Sequence, residues 1–76
     1  MILPAVELLY KNHPEHHKTL LDYGTQHGAY AQVFTTHDTG EHIAAMQGWG
    51  ELLVTASSDR SQVAALIKLA KKVAKL

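Results

Sequence analysis

The sequence contains no cysteine, only two prolines and no long apolar run. Without cysteine no disulfide framework is possible, and small secreted domains usually depend on one. We therefore expect a reducing compartment and a cytoplasmic location. No stretch approaches the roughly 18 apolar residues of a transmembrane helix. The N-terminal segment also lacks the charged start and long apolar core of a signal peptide.

A chain of 76 residues has room for one domain. A fold of this size buries only about 60% of the surface that its unfolded chain exposes, so its stability is expected to be marginal. Where disulfides are absent, a second subunit or a metal ion is the usual additional support. We therefore expect a single domain over residues 1–76 that associates with a copy of itself.

The first part of the chain has helical patterning that is interrupted once. Pro4 suits the first turn of a helix, because its missing N–H has no partner there in any case. Pro14 disfavours a continuous helix through the preceding residue. The segments 4–12 and 14–24 are therefore predicted as one broken helix or two short ones, with Gly24 as the C-terminal stop.

Three segments with strand character follow. In 29–36 the residues alternate between two faces, with Tyr30, Gln32, Phe34 and Thr36 on one and Ala31 and Val33 on the other. Segment 41–47 is ambiguous, because Asp38 and Glu41 have the spacing of a helical capping box. Its shortness between two turn-like segments favours a middle strand, which is the interpretation we prefer. Segment 51–57 is the third predicted strand.

The C-terminal segment has the clearest helical pattern. Ser58 and Asp59 are predicted as N-cap residues. Apolar residues recur at helical spacing at Val63, Leu66, Ile67, Ala70, Val73 and Ala74. Lys68, Lys71, Lys72 and Lys75 fall within a sector of about 100° on the opposite side of the helix. The segment is therefore predicted as an amphipathic helix with a lysine face.

These elements predict an α+β domain of order α(α)-β-β-β-α. A three-stranded antiparallel meander would have helices packed on one face. This order, ending in a helix with a basic face, resembles the double-stranded RNA-binding domain. The resemblance implies a fold spanning most of residues 4–76 and binding to RNA. That family carries a basic cluster at the start of its last helix, where this chain reads SSDRSQVAAL with only Arg60.

Charge is distributed unevenly although the formal net charge is zero. Residues 60–76 carry five basic and no acidic side chains, whereas residues 1–59 carry two lysines against seven acidic side chains. The lysine face is suited to contacts with nucleic-acid phosphates. Domains that bind nucleic acid usually have an overall basic excess, which this chain lacks.

Six histidines among 76 residues are the most distinctive feature of the composition. His13 and His17 would share one face of a continuous helix, and imidazoles at this spacing form a common half-site for zinc. His37 and His42 flank a turn-like segment, where their side chains could approach each other. The spacing does not define a complete set of four ligands. Zinc is therefore an alternative, and otherwise no cofactor is expected.

No recognisable catalytic motif is present. The chain has no glycine-rich phosphate loop, no HExxH and no nucleophile elbow, so we do not expect an enzyme. Trp49 lies between two glycines in a predicted turn, where an exposed aromatic side chain can anchor a partner. The sequence favours a small protein-interaction or regulatory module that forms a homodimer, with Trp49 and the lysine face as partner-binding residues. The alternatives are a nucleic-acid-binding module and a histidine-rich metal-binding protein; no membrane partner is expected.

Overall fold

A computed structural model describes residues 5–76 of the chain. The elements are a 3₁₀ helix (Ala5–Leu9), α1 (Pro14–His27), β1 (Tyr30–Thr35), β2 (His42–Gln47), β3 (Leu52–Ser58) and α2 (Gln62–Ala74). This order confirms the predicted α+β fold. Pro4, predicted to start the first helical segment, lies outside the described residues. Pro14 does occupy the first turn of α1.

The three strands form one antiparallel sheet in the order β1-β2-β3. In its register Ala31 lies opposite Met46, and Ala44 lies opposite Ala56. The predicted strand in segment 41–47 is therefore confirmed, and it occupies the centre of the sheet. Three consecutive residues of β2, Ala44 to Met46, are buried. Such continuous burial is typical of a central strand that has neighbours on both sides.

Both helices pack on one face of the sheet and form the core with it. Small side chains on β1 and β2 leave room there for larger ones from the helices. The buried cluster consists of Leu9, Leu20, Ala31, Ala44, Met46, Ala65, Leu66, Leu69, Ala70 and Val73. The opposite face of the sheet is covered by neither helix.

The end of α1 differs from the prediction at Gly24. The helix continues through this residue to His27, and Gly28 follows in the left-handed conformation with φ 62°. The N–H of Ala29 donates to the Gly24 carbonyl at 2.9 Å, which closes the helix in a Schellman-type turn. A Cβ at Gly24 would lie 2.5 Å from the Ala29 carbonyl oxygen. Gly24 therefore permits a close backbone approach and does not stop the helix.

The start of α2 also differs from the prediction. Ser61 is the N-cap residue, with an extended backbone, and its Oγ accepts a hydrogen bond from the Ala64 N–H at 3.0 Å. The prediction of Ser58 and Asp59 was wrong because β3 extends through Ser58. That residue is buried, and its Oγ accepts from the Arg60 N–H at 3.1 Å. The cap therefore lies one short turn later than the sequence indicated.

The buried face of α2 is rotated by about 70° from the predicted apolar stripe, at 100° per residue. Ala65 and Leu69 are fully buried although the stripe omitted them, and Ala74 is exposed although the stripe included it. The apolar arc of α2 is wide enough for several orientations. Contacts with both α1 and the sheet select among them.

Candidate functional site

The four predicted lysines, three in α2 and Lys75 at its C-cap, lie together beside β3. All four are exposed, and they line a shallow groove of about 360 Å³, whose other wall is formed by β3. The lining residues are Ala56, Ser57, Lys68, Lys71, Lys72 and Lys75, which we call the lysine groove. The spacing i, i+3, i+4, i+7 puts these lysines along about 10.5 Å of the helix axis.

Lys72 is fixed across this groove. Its Nζ donates to the Thr55 carbonyl oxygen at 2.7 Å. The Thr55 carbonyl points away from β2, at the free edge of the sheet, and alternation along an antiparallel strand puts the peptide groups of Leu53 and Ser57 at the same edge. The ammonium group therefore occupies an acceptor that a further strand would need.

The lysine groove has no acidic counter-ion close to it. In residues 5–76, the ion pairs closer than 4.0 Å join Lys18 to Asp22 at 3.8 Å and His17 to Glu7 at 3.6 Å. Neither pair involves a lysine of the groove. The positive charge of α2 is consequently available to an external anion.

The sheet surface opposite the helices, called the open face below, bears no charged side chain. By strand alternation and register it consists of Tyr30, Gln32, Phe34, Ile43, Ala45, Gln47, Leu53, Thr55 and Ser57. The Gln32 Nε2 donates to the Gln47 Oε1 at 3.1 Å, which orders the polar centre of this face. The Tyr30 and Phe34 side chains remain 59% and 43% exposed.

Trp49 lies in the β2–β3 hairpin, and its side chain is 97% exposed. The turn is closed by the Gly48 N–H, which donates to the Glu51 carbonyl at 2.9 Å. Gly50 adopts a positive φ of 72° that favours glycine. Trp49 shares a shallow pocket of about 460 Å³ with Tyr30 and Gln47 of the open face. The predicted exposed turn is present, while the role of Trp49 in binding stays a prediction.

The structure does not pair His13 with His17. His13 precedes α1, and its ring lies 6.2 Å from that of His16. The His17 ring instead makes an edge contact with Tyr10, at 5.2 Å between centroids, and its Nε2 lies 3.6 Å from a carboxylate oxygen of Glu7. These contacts join the 3₁₀ helix to α1.

The second histidine pair is also separated in its contacts. His42 Nδ1 lies 2.7 Å from the Thr35 Oγ1, within hydrogen-bond distance, whereas His37 is exposed in the β1–β2 turn. Within residues 5–76, no group of three or more His, Asp or Glu side chains is arranged to hold a metal ion. Zinc binding by the histidines stays a prediction that this arrangement does not strengthen.

The open face is the surface that the sequence patterns did not single out. Alternation in 29–36 had already placed Tyr30 and Phe34 together on one side of a strand. This alternation does not indicate which side of the strand the helices cover. The register shows that Ala31 and Val33 face the helices, so the two aromatic residues are left on the outside.

No protein-family model matches the chain, and comparisons with curated proteins and with solved structures find no significant similarity. The resemblance to the double-stranded RNA-binding domain therefore rests on element order alone. In the part of the chain that the structure describes, no helix is long and apolar enough to cross a bilayer.

Proposed function

We propose that this protein is a small protein-interaction module that self-associates through the open face of its sheet. The observation that carries the proposal is a sheet face without charge that exposes two aromatic side chains next to the fully exposed Trp49. A sheet with one face uncovered by helices normally presents polar side chains to water on that face. Here it presents Tyr30, Phe34, Ile43 and Leu53 instead.

The neutrality of the face favours a second copy as the partner. In a two-fold dimer each residue patch meets the same patch of the other subunit, so any charge near the axis would face its own sign. The open face avoids this repulsion because its polar side chains are amides and hydroxyls. Gln32 is complementary to its own copy, because its amide can accept, and it can donate a second hydrogen bond besides the one to the Gln47 Oε1.

The exposed area is of the right order for a dimer contact. At about 150–250 Å² for each aromatic side chain, Tyr30, Phe34 and Trp49 together expose roughly 400 Å². A stable interface of standard size needs about 800 Å² from each partner. The exposed Leu52 and Leu53 and the polar residues of the open face contribute toward the remainder.

The core buries little apolar area, which favours self-association energetically. In the described residues, the large side chains that are fully buried are Leu9, Leu20, Met46, Leu66 and Leu69. Much of the rest of the core is alanine, which contributes little apolar area. Covering the open face would add apolar burial that a chain of this length cannot provide alone.

The proposal is tested by placing a charge on the open face. Light scattering of the 8.4 kDa chain at micromolar concentration should give a mass near twice that value. Phe34→Lys should shift the mass to that of a monomer, since two buried ammonium groups would face each other. The matched control is Leu21→Lys on α1, where the replaced side chain is 45% exposed, close to the 43% of Phe34.

The control should remain dimeric. A wild-type protein that is monomeric across the concentration range, or a Phe34→Lys variant that dimerises as well as Leu21→Lys, would refute the proposal. Trp49 gives a second measurement because it is the only tryptophan. Its fluorescence should shift to shorter wavelength as the concentration is raised, but not in Phe34→Lys.

A further inference from the structure

The lysine groove concentrates four ammonium groups at a defined place in the fold. Lys68, Lys71 and Lys75 are exposed beside Lys72, and no carboxylate in residues 5–76 lies within 4.0 Å of them. Like charges held this close repel one another, so a bound anion would relieve the repulsion. The C-terminal end of α2 adds a negative dipole equivalent to about half a charge, which offsets only a fraction of the four positive charges.

The other wall of the groove also presents hydrogen-bond donors. Ser57 of β3 lines it, and strand alternation directs its peptide N–H toward the same free edge. The nearby Thr55 carbonyl, which would repel an anion, is already bound by Lys72 at 2.7 Å. An anion in the groove would therefore meet ammonium and peptide N–H donors.

The dimensions and surroundings favour a compact anion over a long one. About 10.5 Å of helix separates Lys68 from Lys75, which suits two or three linked phosphate groups. A nucleic acid would need further phosphate contacts outside the groove, and residues 1–59, with an excess of five negative charges, offer few of them. An extended acidic peptide is disfavoured because Lys72 occupies the edge of β3 that it would need for strand pairing.

We propose that the lysine groove is a binding site for a small anion bearing two or more linked phosphate groups. The lysine side chains contact its phosphate oxygens, and the Ser57 peptide N–H donates to one of them. The chemistry is shared by condensed inorganic phosphates and by nucleotide polyphosphates. This site is separate from the aromatic part of the open face, so it does not depend on self-association.

The test is calorimetric titration of the full chain with tripolyphosphate and with adenosine triphosphate. Each titration is made at about 50 mM and about 150 mM salt, because screening of the lysine charges increases between these concentrations. The expected result is saturable binding of one anion per chain. Lys68→Gln/Lys75→Gln should lower the affinity at least tenfold, which is about 1.4 kcal/mol. Equal affinity for both probes would indicate recognition of the phosphate chain alone, and tighter binding of the nucleotide would indicate that the base also contributes.

The matched control is Lys11→Gln/Lys18→Gln, which removes the same number of charges outside the groove. It should bind as the wild-type chain does. An equal loss of affinity in both double variants would overturn the proposal, because net charge rather than the groove would then determine binding. Absence of saturable binding at 50 mM salt would overturn it as well.

Two further measurements distinguish anion binding from nucleic-acid binding and from self-association. Single-stranded or duplex RNA that binds more tightly than tripolyphosphate at 150 mM salt would replace it with nucleic-acid binding. Phe34→Lys, which tests self-association, should retain the anion site. Since each double variant replaces only exposed lysines, thermal unfolding should show that all of them are folded.

Discussion

Gly24 occupies a position in α1 where a side chain would meet backbone and not solvent. The Ala29 carbonyl oxygen would lie 2.5 Å from a Cβ at this residue, and Ala29 is held in the turn by the bond of its N–H to the Gly24 carbonyl. Alanine has the better helix propensity by about 1 kcal/mol. The backbone clash should outweigh this gain, because the contacted atom cannot move without displacing the start of β1.

We predict that Gly24→Ala lowers the free energy of unfolding by about 1–3 kcal/mol. Chemical denaturation monitored by circular dichroism would measure the change. The control is Thr25→Ala, one residue further along α1, where the side chain is exposed and bonds only to the Leu21 carbonyl. The control should change stability by no more than about 0.5 kcal/mol. A Gly24→Ala protein as stable as wild type would show that the turn accommodates a methyl group.

Residue roles that depend on local periodicity could be read from the sequence, and those that depend on tertiary approach could not. Lys68, Lys71, Lys72 and Lys75 lie together and exposed as the helical pattern predicted. The bond from Lys72 to Thr55 could not be predicted, because it depends on how α2 lies against β3. The prediction for Gly24 was wrong for the same reason. In the sequence, a glycine that ends a helix cannot be distinguished from one that allows another backbone segment to approach the helix closely.

At the level of the element, the start of α2 gives a direct test of the cap. Ser61→Ala should lower the free energy of unfolding by about 1 kcal/mol, because the Ala64 N–H loses its side-chain acceptor. Asp59→Ala, at the residue that the sequence indicated, should have an effect of no more than about 0.5 kcal/mol. Thermal or chemical unfolding of both variants would measure this. A larger effect at Asp59 would mean that the cap lies where the sequence first indicated.

Element order and type followed from local patterns, whereas element boundaries and exposed faces followed from packing. Segment 41–47 carried a helical capping signal, yet pairing with strands on both sides makes it β2. The extension of β3 to Ser58 is likewise fixed by its pairing with His42. That one added residue moved the beginning of α2 past Asp59.

At the scale of the whole molecule, two surfaces have different chemical character. The open face is uncharged and aromatic, and the lysine groove is strongly basic. They meet along β3, where Thr55 and Ser57 border both. The net charge of zero does not reveal the basic surface, because the acidic residues in the first 59 positions cancel the lysine charges in the sum.

The bond between Lys72 and the Thr55 carbonyl also bears on how the folded protein behaves when it is concentrated. Lys72→Met retains the apolar stem and removes the ammonium group, so it should shorten the lag before fibrils form at high concentration. Thioflavin fluorescence would measure the lag, with Lys71→Met as the control for loss of one charge. Equal lag times in the two variants would assign the effect to net charge.

Acetylation of Lys72 would neutralise the same amine in the unmutated protein. It would weaken the hydrogen bond to the Thr55 carbonyl and so expose the free edge of β3 to strands of other molecules. A single covalent mark would thereby reduce affinity for anions and promote ordered polymerisation together. The lysine that supplies charge to the groove thus also occupies a hydrogen-bond acceptor at the β3 edge of the sheet.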